Sequence, residues 1–362
     1  MKIRALLGVI CALLVGGGNA AAQDTTAKVK SGKKKSNVTF FDSSTPLNVT
    51  ITVNLKQLQG DKGDSVPWRN ATFAFTGSDG VARTLPAKMR TRGIWRLKKC
   101  EYPPIRLNFA KSAVKGTELE GLDKPKLVSF CRDAGLHEQY VVEEFQLYRI
   151  YNQLTPNSHK VRLMRLTYVD SASGKMAARR FAFIVEEPEA LAERLGGKMI
   201  KDKGARADDM DDYSMALFGL FQLMIGNTDF SVTALHNAEL LAQPAGLLIP
   251  VAYDFDFSGA VNTTYATPEP KLRLDNVRTR RYRGYCVPQE HIDAAVAQFN
   301  LKRDAVFALY DDPIGKMLQP GRRNSVLEYF REFYRLINDR GSLRAYARDE
   351  CLPRDKSDAP NR

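Results

Sequence analysis

The sequence predicts an α+β chain whose β-rich first half gives way to a mainly helical second half. Three observations carry this reading. Apolar residues alternate with period two from about residue 37 to 111, the spacing changes to threes and fours from His137, and helical spacing dominates beyond residue 205. With 362 residues, 44% of them hydrophobic, the chain has material for one large or two ordinary domains with full cores.

Leu47, Val49, Ile51, Val53 and Leu55 form the first alternating run. Thr72-Phe73-Ala74-Phe75 leads into the turn signal Ser78-Asp79-Gly80, so this part reads as an antiparallel sheet. From His137 to Leu154, the residues Tyr140, Val141, Phe145, Tyr148 and Tyr151 recur at helical spacing. A hairpin is predicted from Val161 through Ser171-Ala172-Ser173-Gly174 to Val185, followed by a helix that Pro188 starts. Tyr213 to Ile225 reads as an apolar helix ended by Gly226-Asn227, with two short strands after it, Ala238 to Leu241 and Leu247 to Ala252. Pro288 to Phe299, Asp304 to Asp311 and Asn324 to Asp339 complete the series as helices. Residues 353–362, polar and charged, read as a disordered tail.

Lys2 and Arg4 precede an apolar run from Ala5 to Gly16 and small residues through Ala20 and Ala22, the plan of a signal peptide over residues 1–22. The protein is therefore expected to be exported, in a periplasm, secreted or at a cell surface. No transmembrane segment is expected after cleavage, because the next apolar stretch, Ala216 to Ile225, is short and carries Gln222. Cys11 leaves with the leader. Cys100, Cys131, Cys286 and Cys351 then suggest two disulfides, with three pairings open. Residues 23–37, with Lys28, Lys30, Lys33, Lys34 and Lys35, read as a basic flexible linker, or as an arm that attaches to an anionic surface. The excess of 54 Lys plus Arg over 41 Asp plus Glu does not point to nucleic acid, since export disfavours it and no aromatic-basic module is evident. Four histidines without HExxH argue against a histidine-built zinc hydrolase, and neither GxSxG nor GxxxxGK[ST] occurs in the mature region.

The residues with most chemical content are Asn227-Thr228-Asp229, His236-Asn237 and Tyr253-Asp254-Phe255-Asp256. Asp229 follows a buried helix in a loop, and Asp254 and Asp256 close an apolar strand whose period would put both carboxylates on one face. Oxygen donors of this kind suit Mg²⁺ or Mn²⁺, and a loop carboxylate, an amide and a strand-end carboxylate pair are what phosphoryl transfer uses. On that reading Asp229 is catalytic, and Asp254, Asp256 and Asn237 hold the metal. The structural alternative is that Asp229 caps a turn and that Asp254 and Asp256 close a loop.

Met89-Arg90-Thr91-Arg92-Gly93 with Lys98-Lys99, Ile105-Arg106-Leu107-Asn108-Phe109, Phe183-Ile184-Val185-Glu186-Glu187 and the two aspartate motifs stand in the order seen in the CotH-type spore-coat protein kinase family, which this sequence resembles over residues 89–260. The resemblance implies a two-lobed atypical protein-kinase-like fold, with a β-rich N-lobe over 38–186 and a helical C-lobe over 187–352. It also implies ATP with Mg²⁺ or Mn²⁺, Asp229 as the catalytic aspartate and Asp254 as the metal-binding one. Arg92, Lys99 or Arg106 would then meet the phosphates, and Glu186 would lie near the nucleotide. The sequence departs from the family where Phe230-Ser231 follows Asp229, where His236-Asn237 come late, and at Asn108.

Glu143 and Glu144 read either as partners for such a cation or as solvent-facing helix charges. Asp208, Asp209, Asp211 and Asp212 serve a helix N-terminus better than a calcium loop. Arg273, Arg278, Arg280, Arg281 and Arg283 would either grip a phosphate or an acidic substrate, or stand solvated beside a disulfide. Asn37, Asn48, Asn70 and Asn262 are glycosylation sequons. The expected function is a metal-dependent kinase acting on a hydroxyl of a protein or an extracellular small molecule. The alternatives are a non-catalytic surface or structural protein and a metal-dependent phosphohydrolase.

Overall fold

Leu47, Val49, Ile51 and Val53 are all buried along strand β1 (Leu47–Val53), as the alternation requires. Asn54 ends the strand: its side chain accepts from Gln57 N at 3.0 Å and opens helix α1 (Leu55–Gly60), so Leu55 starts a helix and does not extend the sheet. The computed structural model describes residues 39–358 except 64 and 245. The expected leader and basic linker, Asn37 and residues 359–362 lie outside the described residues.

Strands β2 (Arg69–Thr76) and β3 (Ala82–Thr91) form a hairpin whose turn uses Gly80 at φ 76°, a conformation that favours glycine. Helix α2 (Trp95–Lys99), β4 (Ile105–Phe109), α3 (Lys111–Val114) and β5 (Lys126–Ser129) lead to the long helix α4 (Gly135–Leu154). The second hairpin, β6 (Val161–Asp170) with β7 (Met176–Val185), turns where Asp170 Oδ2 accepts from Ser173 N and Oγ. Helix α5 (Pro188–Arg194) starts on Pro188, and β8 (Lys198–Ile200), α6 (Asp212–Ile225), β9 (Ala238–Ala242) and β10 (Leu248–Ala252) follow. The chain then runs through α7 (Gln289–Ala308), α8 (Pro320–Asn338) and α9 (Arg340–Arg344). Helix α7 joins what the spacing suggested as two segments, since no glycine or proline interrupts it.

The first seven strands close into a barrel in the order β1-β2-β3-β4-β5-β7-β6, and β10-β9-β8 make a separate three-stranded sheet. This overturns the two-lobed kinase-like fold with a β-sheet N-lobe. The overturning contact is between β1 and β6, which pair in parallel from Leu47 opposite Met164 to Val53 opposite Asp170 and so remove both free edges. Alternation shows which face of β1 is buried but not which strand lies beside it, and a parallel partner is reached only through a long crossover.

The expected lobe boundary is not a gap in the packing either. One buried cluster runs from Phe40 to Ala347, and a small satellite of Leu191, Ala192, Leu241, Ile249 and Val251 sits with α5 and the second sheet. Helix α4 joins the two halves: Phe145 and Tyr148 meet Phe183 of β7, while Tyr151 stacks on Phe221 of α6 at 4.3 Å.

Cys100 pairs with Cys131 and Cys286 with Cys351, which fits an oxidising compartment. Among the described residues no helix is long and apolar enough to cross a membrane. Asp211 caps α6 by accepting from Ser214 N at 2.8 Å. Asp208 and Asp212 bind Arg354, at 2.8 and 2.6 Å. Residues 353–358, expected to be disordered, are thus held, and the buried Asp358 carboxylate accepts from Ser231 Oγ, Val232 N and Thr233 N at 2.9, 2.6 and 2.9 Å. Composition misses this because the segment is fixed by individual polar contacts and not by apolar burial.

Candidate active site

Helix α6 stops at Gly226, whose φ of 64° favours glycine and where a Cβ would strike Tyr329 Oη. The next residue sets the loop. Buried Asn227 donates to Gln222 Oε1 at 3.0 Å and accepts from Asp229 N at 3.0 Å, so the turn is tied to the helix it leaves. Asp229 projects from this turn with 34% of its side chain exposed.

His236 and Asn237 come late in sequence but not in space. Ser231 and His236 exchange two backbone hydrogen bonds, at 2.8 and 2.9 Å, which folds the loop back on itself. His236 Nε2 then lies 2.9 Å from Asp229 Oδ1, and Asn237 Nδ2 donates to Asp229 O and Oδ2 at 2.8 and 3.1 Å. The hydrogen bond to Asp229 raises the His236 pKa above its ordinary value.

The third motif departs from expectation. Strand β10 ends at Ala252, and Asp254 takes a left-handed conformation at φ 62°. Asp254 and Asp256 therefore do not share a strand face. The turn is held from α4: Tyr148 Oη accepts from Asp254 N at 2.9 Å, and Glu144 Oε1 from Phe255 N at 3.4 Å. Glu144 is buried in the core and so is not a solvent-facing helix charge. Asp256 is buried too, accepting from Tyr265 Oη at 3.0 Å and facing Arg96 Nη1 at 3.5 Å. Burial raises the carboxyl pKa of both, helped by repulsion from Asp256 and Asp254 at Glu144 and from Asp254 at Asp256.

Of the basic residues expected near phosphate, Arg92 and Arg106 do converge. The Asp254 charge acts on both Arg92 and Lys126, and Arg106 faces Lys126 across the β4–β5 pair. Lys99 stands exposed at the end of α2, and Arg96 is the cation of that helix that turns inward. Glu186 is committed elsewhere: Arg194 clamps both its oxygens at 2.9 and 2.8 Å, and Lys160 N donates to it at 3.0 Å.

Sequence reasoning missed Arg96, Lys126, Tyr148 and Glu239. Lys126 sits 4.5 Å over the Tyr253 ring and 3.5 Å from Glu239 Oε1, whose other oxygen is 3.0 Å from His159 Nε2. Burial lowers the Lys126 pKa, with Glu239 opposing. A lysine opening an apolar strand, Lys126-Leu127-Val128, was the only signal available.

On its open side Asp229 borders a cavity of 540 Å³, which His236, Glu269, Lys271, Arg283 and Glu350 help to line. Arg283 Nη1 donates to the carbonyls of Thr228 and Phe230 on either side of Asp229, which steadies the loop. Among the described residues no three His, Cys, Asp or Glu side chains converge closely enough to hold a metal ion. The donors that could contribute to one are oxygens: the Asp254 carboxylate and the amide carbonyl of Asn237. No family model matches this sequence, and a comparison with curated proteins finds no match.

Proposed function

We propose that the protein is an exported, metal-dependent phosphotransferase that moves the γ-phosphoryl group of ATP to a hydroxyl of a protein or an extracellular small molecule. One observation carries the reading. Asp229, oriented by His236 and Asn237, borders an open cavity, and the charge of a second carboxylate, Asp254, acts on His236, Arg92 and Lys126. An acceptor in the cavity would present its hydroxyl to Asp229, each of whose oxygens keeps a lone pair after its bond to His236 or Asn237. The oxygen–phosphorus bond to the acceptor forms as the bond to the bridging oxygen of ADP breaks, and the hydroxyl proton passes to Asp229.

Asp254 and the Asn237 carbonyl are the residues that would hold Mg²⁺ or Mn²⁺. Such an ion commonly takes only one or two protein oxygens and completes its shell with phosphates and water, so two donors suffice. When bound, it neutralises charge on the phosphates. Arg92, Lys126 and Arg106 suit the remaining phosphate oxygens, and Tyr148 and Glu144 fix the turn that carries Asp254.

A non-catalytic binding protein is the second reading, favoured by the engagement of Asp256 and Glu186 with Arg96, Tyr265 and Arg194. Calorimetry with ATP, with and without Mg²⁺, separates the two. The proposal expects binding that needs the metal, its loss in Asp254→Asn, and ADP formation lost in Asp229→Asn with binding retained. Metal-independent or absent ATP binding would refute it, and phosphate release without an acceptor would mark a phosphohydrolase.

A further inference from the structure

The arginine stretch that the sequence singled out separates into different roles. Arg280 caps the end of α6 through the carbonyls of Leu223 and Met224, Arg281 pairs with Glu350 at 3.1 Å, and Arg283 holds the Asp229 loop. Arg278 has no such assignment. It lies 4.5 Å over the Tyr329 ring, and the one hydrogen bond that its guanidinium makes among the described residues, to Gly259 O, is long at 3.4 Å.

Arg278 borders a second cavity of 140 Å³, together with Asn262, Gly321, Arg322 and Ser325. Arg322 reaches it from the first turn of α8, with its guanidinium 4.9 Å from the centre of the Tyr140 ring and bonded to Val261 O at 2.5 Å. Among the described residues neither Arg278 nor Arg322 has a carboxylate within ion-pair distance, whereas Arg280 and Arg281 pair with Glu332 and Glu350. Arg322 Nε is buried without a hydrogen-bond partner among the described residues. Gln319, at the N-cap of α8, supplies no side-chain bond to the first-turn N–H groups. Two guanidinium groups, whose acidic influence is the buried Glu143 carboxyl, thus meet an amide, a hydroxyl and a helix start at one small opening whose rim residues Asn262 and Ser325 are exposed.

We infer that this cavity is a binding site for a single tetrahedral oxyanion, phosphate or sulfate, free or carried on a side chain, separate from the Asp229 centre. The volume suits one such group. Planar guanidinium forks and helix N-terminal amides are the donors that such oxygens select. The loop that the site would brace also carries Asp256, since Thr263 Oγ1 donates to Asp256 O and Thr264 N to Tyr140 Oη.

The test is a titration of the full chain with sodium sulfate, sodium phosphate and O-phosphoserine, followed by calorimetry at fixed ionic strength. At least one should bind saturably, with affinity falling at least about tenfold in Arg278→Gln and in Ser325→Asp, which places a carboxylate at the exposed rim. Asp229→Asn and Asp254→Asn should bind as the wild type does, which keeps the result independent of the phosphotransferase reading. Binding of inorganic ions alone identifies a free oxyanion as the ligand, and tighter binding of O-phosphoserine identifies a phosphorylated side chain. Saturable binding that survives both pocket variants, or no saturable binding at all, overturns the inference.

Discussion

Glu143 offers the sharpest quantitative test. It is 0% exposed in the middle of α4, Tyr310 Oη donates to its Oε1 at 2.8 Å, and Oε2 is buried with no hydrogen-bond partner among the described residues. Burial drives its carboxyl from the ordinary 4.5 up to about 7, although Tyr310, Arg322 and Arg278 pull the other way. A carboxyl raised in the folded state contributes stability that is fully present below pH 4.5, declines as pH climbs to about 7 and is gone above it. A rise from 4.5 to about 7, at roughly 1.4 kcal/mol per unit, amounts to ~3 kcal/mol. Glu143→Gln removes the titration and keeps an acceptor for Tyr310. Urea unfolding of both proteins from pH 4.5 to about 8 should show the wild type losing ~3 kcal/mol more than the variant across that range. Equal pH dependence in the two would show that Glu143 is not held protonated by burial.

Three further outcomes are expected. Followed by NMR, the His236 ring should titrate above the ordinary 6.5 and return toward it in Asp229→Asn; the stability that this pair adds is present below pH 6.5 and lost as pH rises through the raised value, so a titration unchanged in the variant contradicts the pairing. Replacing Cys100 and Cys131 with serine opens a link spanning 31 residues and should lower unfolding free energy by about 4 kcal/mol on the chain-entropy model, measured in denaturant under oxidising conditions. Tyr148→Phe deprives Asp254 N of its acceptor in a buried setting and should cost about 1–3 kcal/mol. No loss in that variant would mean that the Asp254 turn does not depend on α4.

Much of the site was legible because its signals are local. Asp229 after a helix stop, and Asp254 after an apolar strand, are features of a few neighbouring residues. The same locality limited the reading. Lys126, Arg96 and Glu239 come from three separate elements, and nothing in the segment around any one of them reports the other two. Asp256 and Glu186 look identical in sequence to available carboxylates, but in the fold Arg96, Tyr265 and Arg194 already hold them.

Alternation with period two and helical spacing determined from sequence alone where nearly every long strand and helix lies, because burial of one face imprints its period on the residues themselves. The four cysteines beyond residue 22 likewise announced two bridges but not their partners. Only the tertiary structure decided that β1 closes against β6, that Cys100 meets Cys131, and that His236 and Asn237 fold back onto Asp229. Each of these joins residues far apart along the chain, and such contacts depend on how twisted strands and crossovers bring distant edges together, which no local pattern of residues encodes.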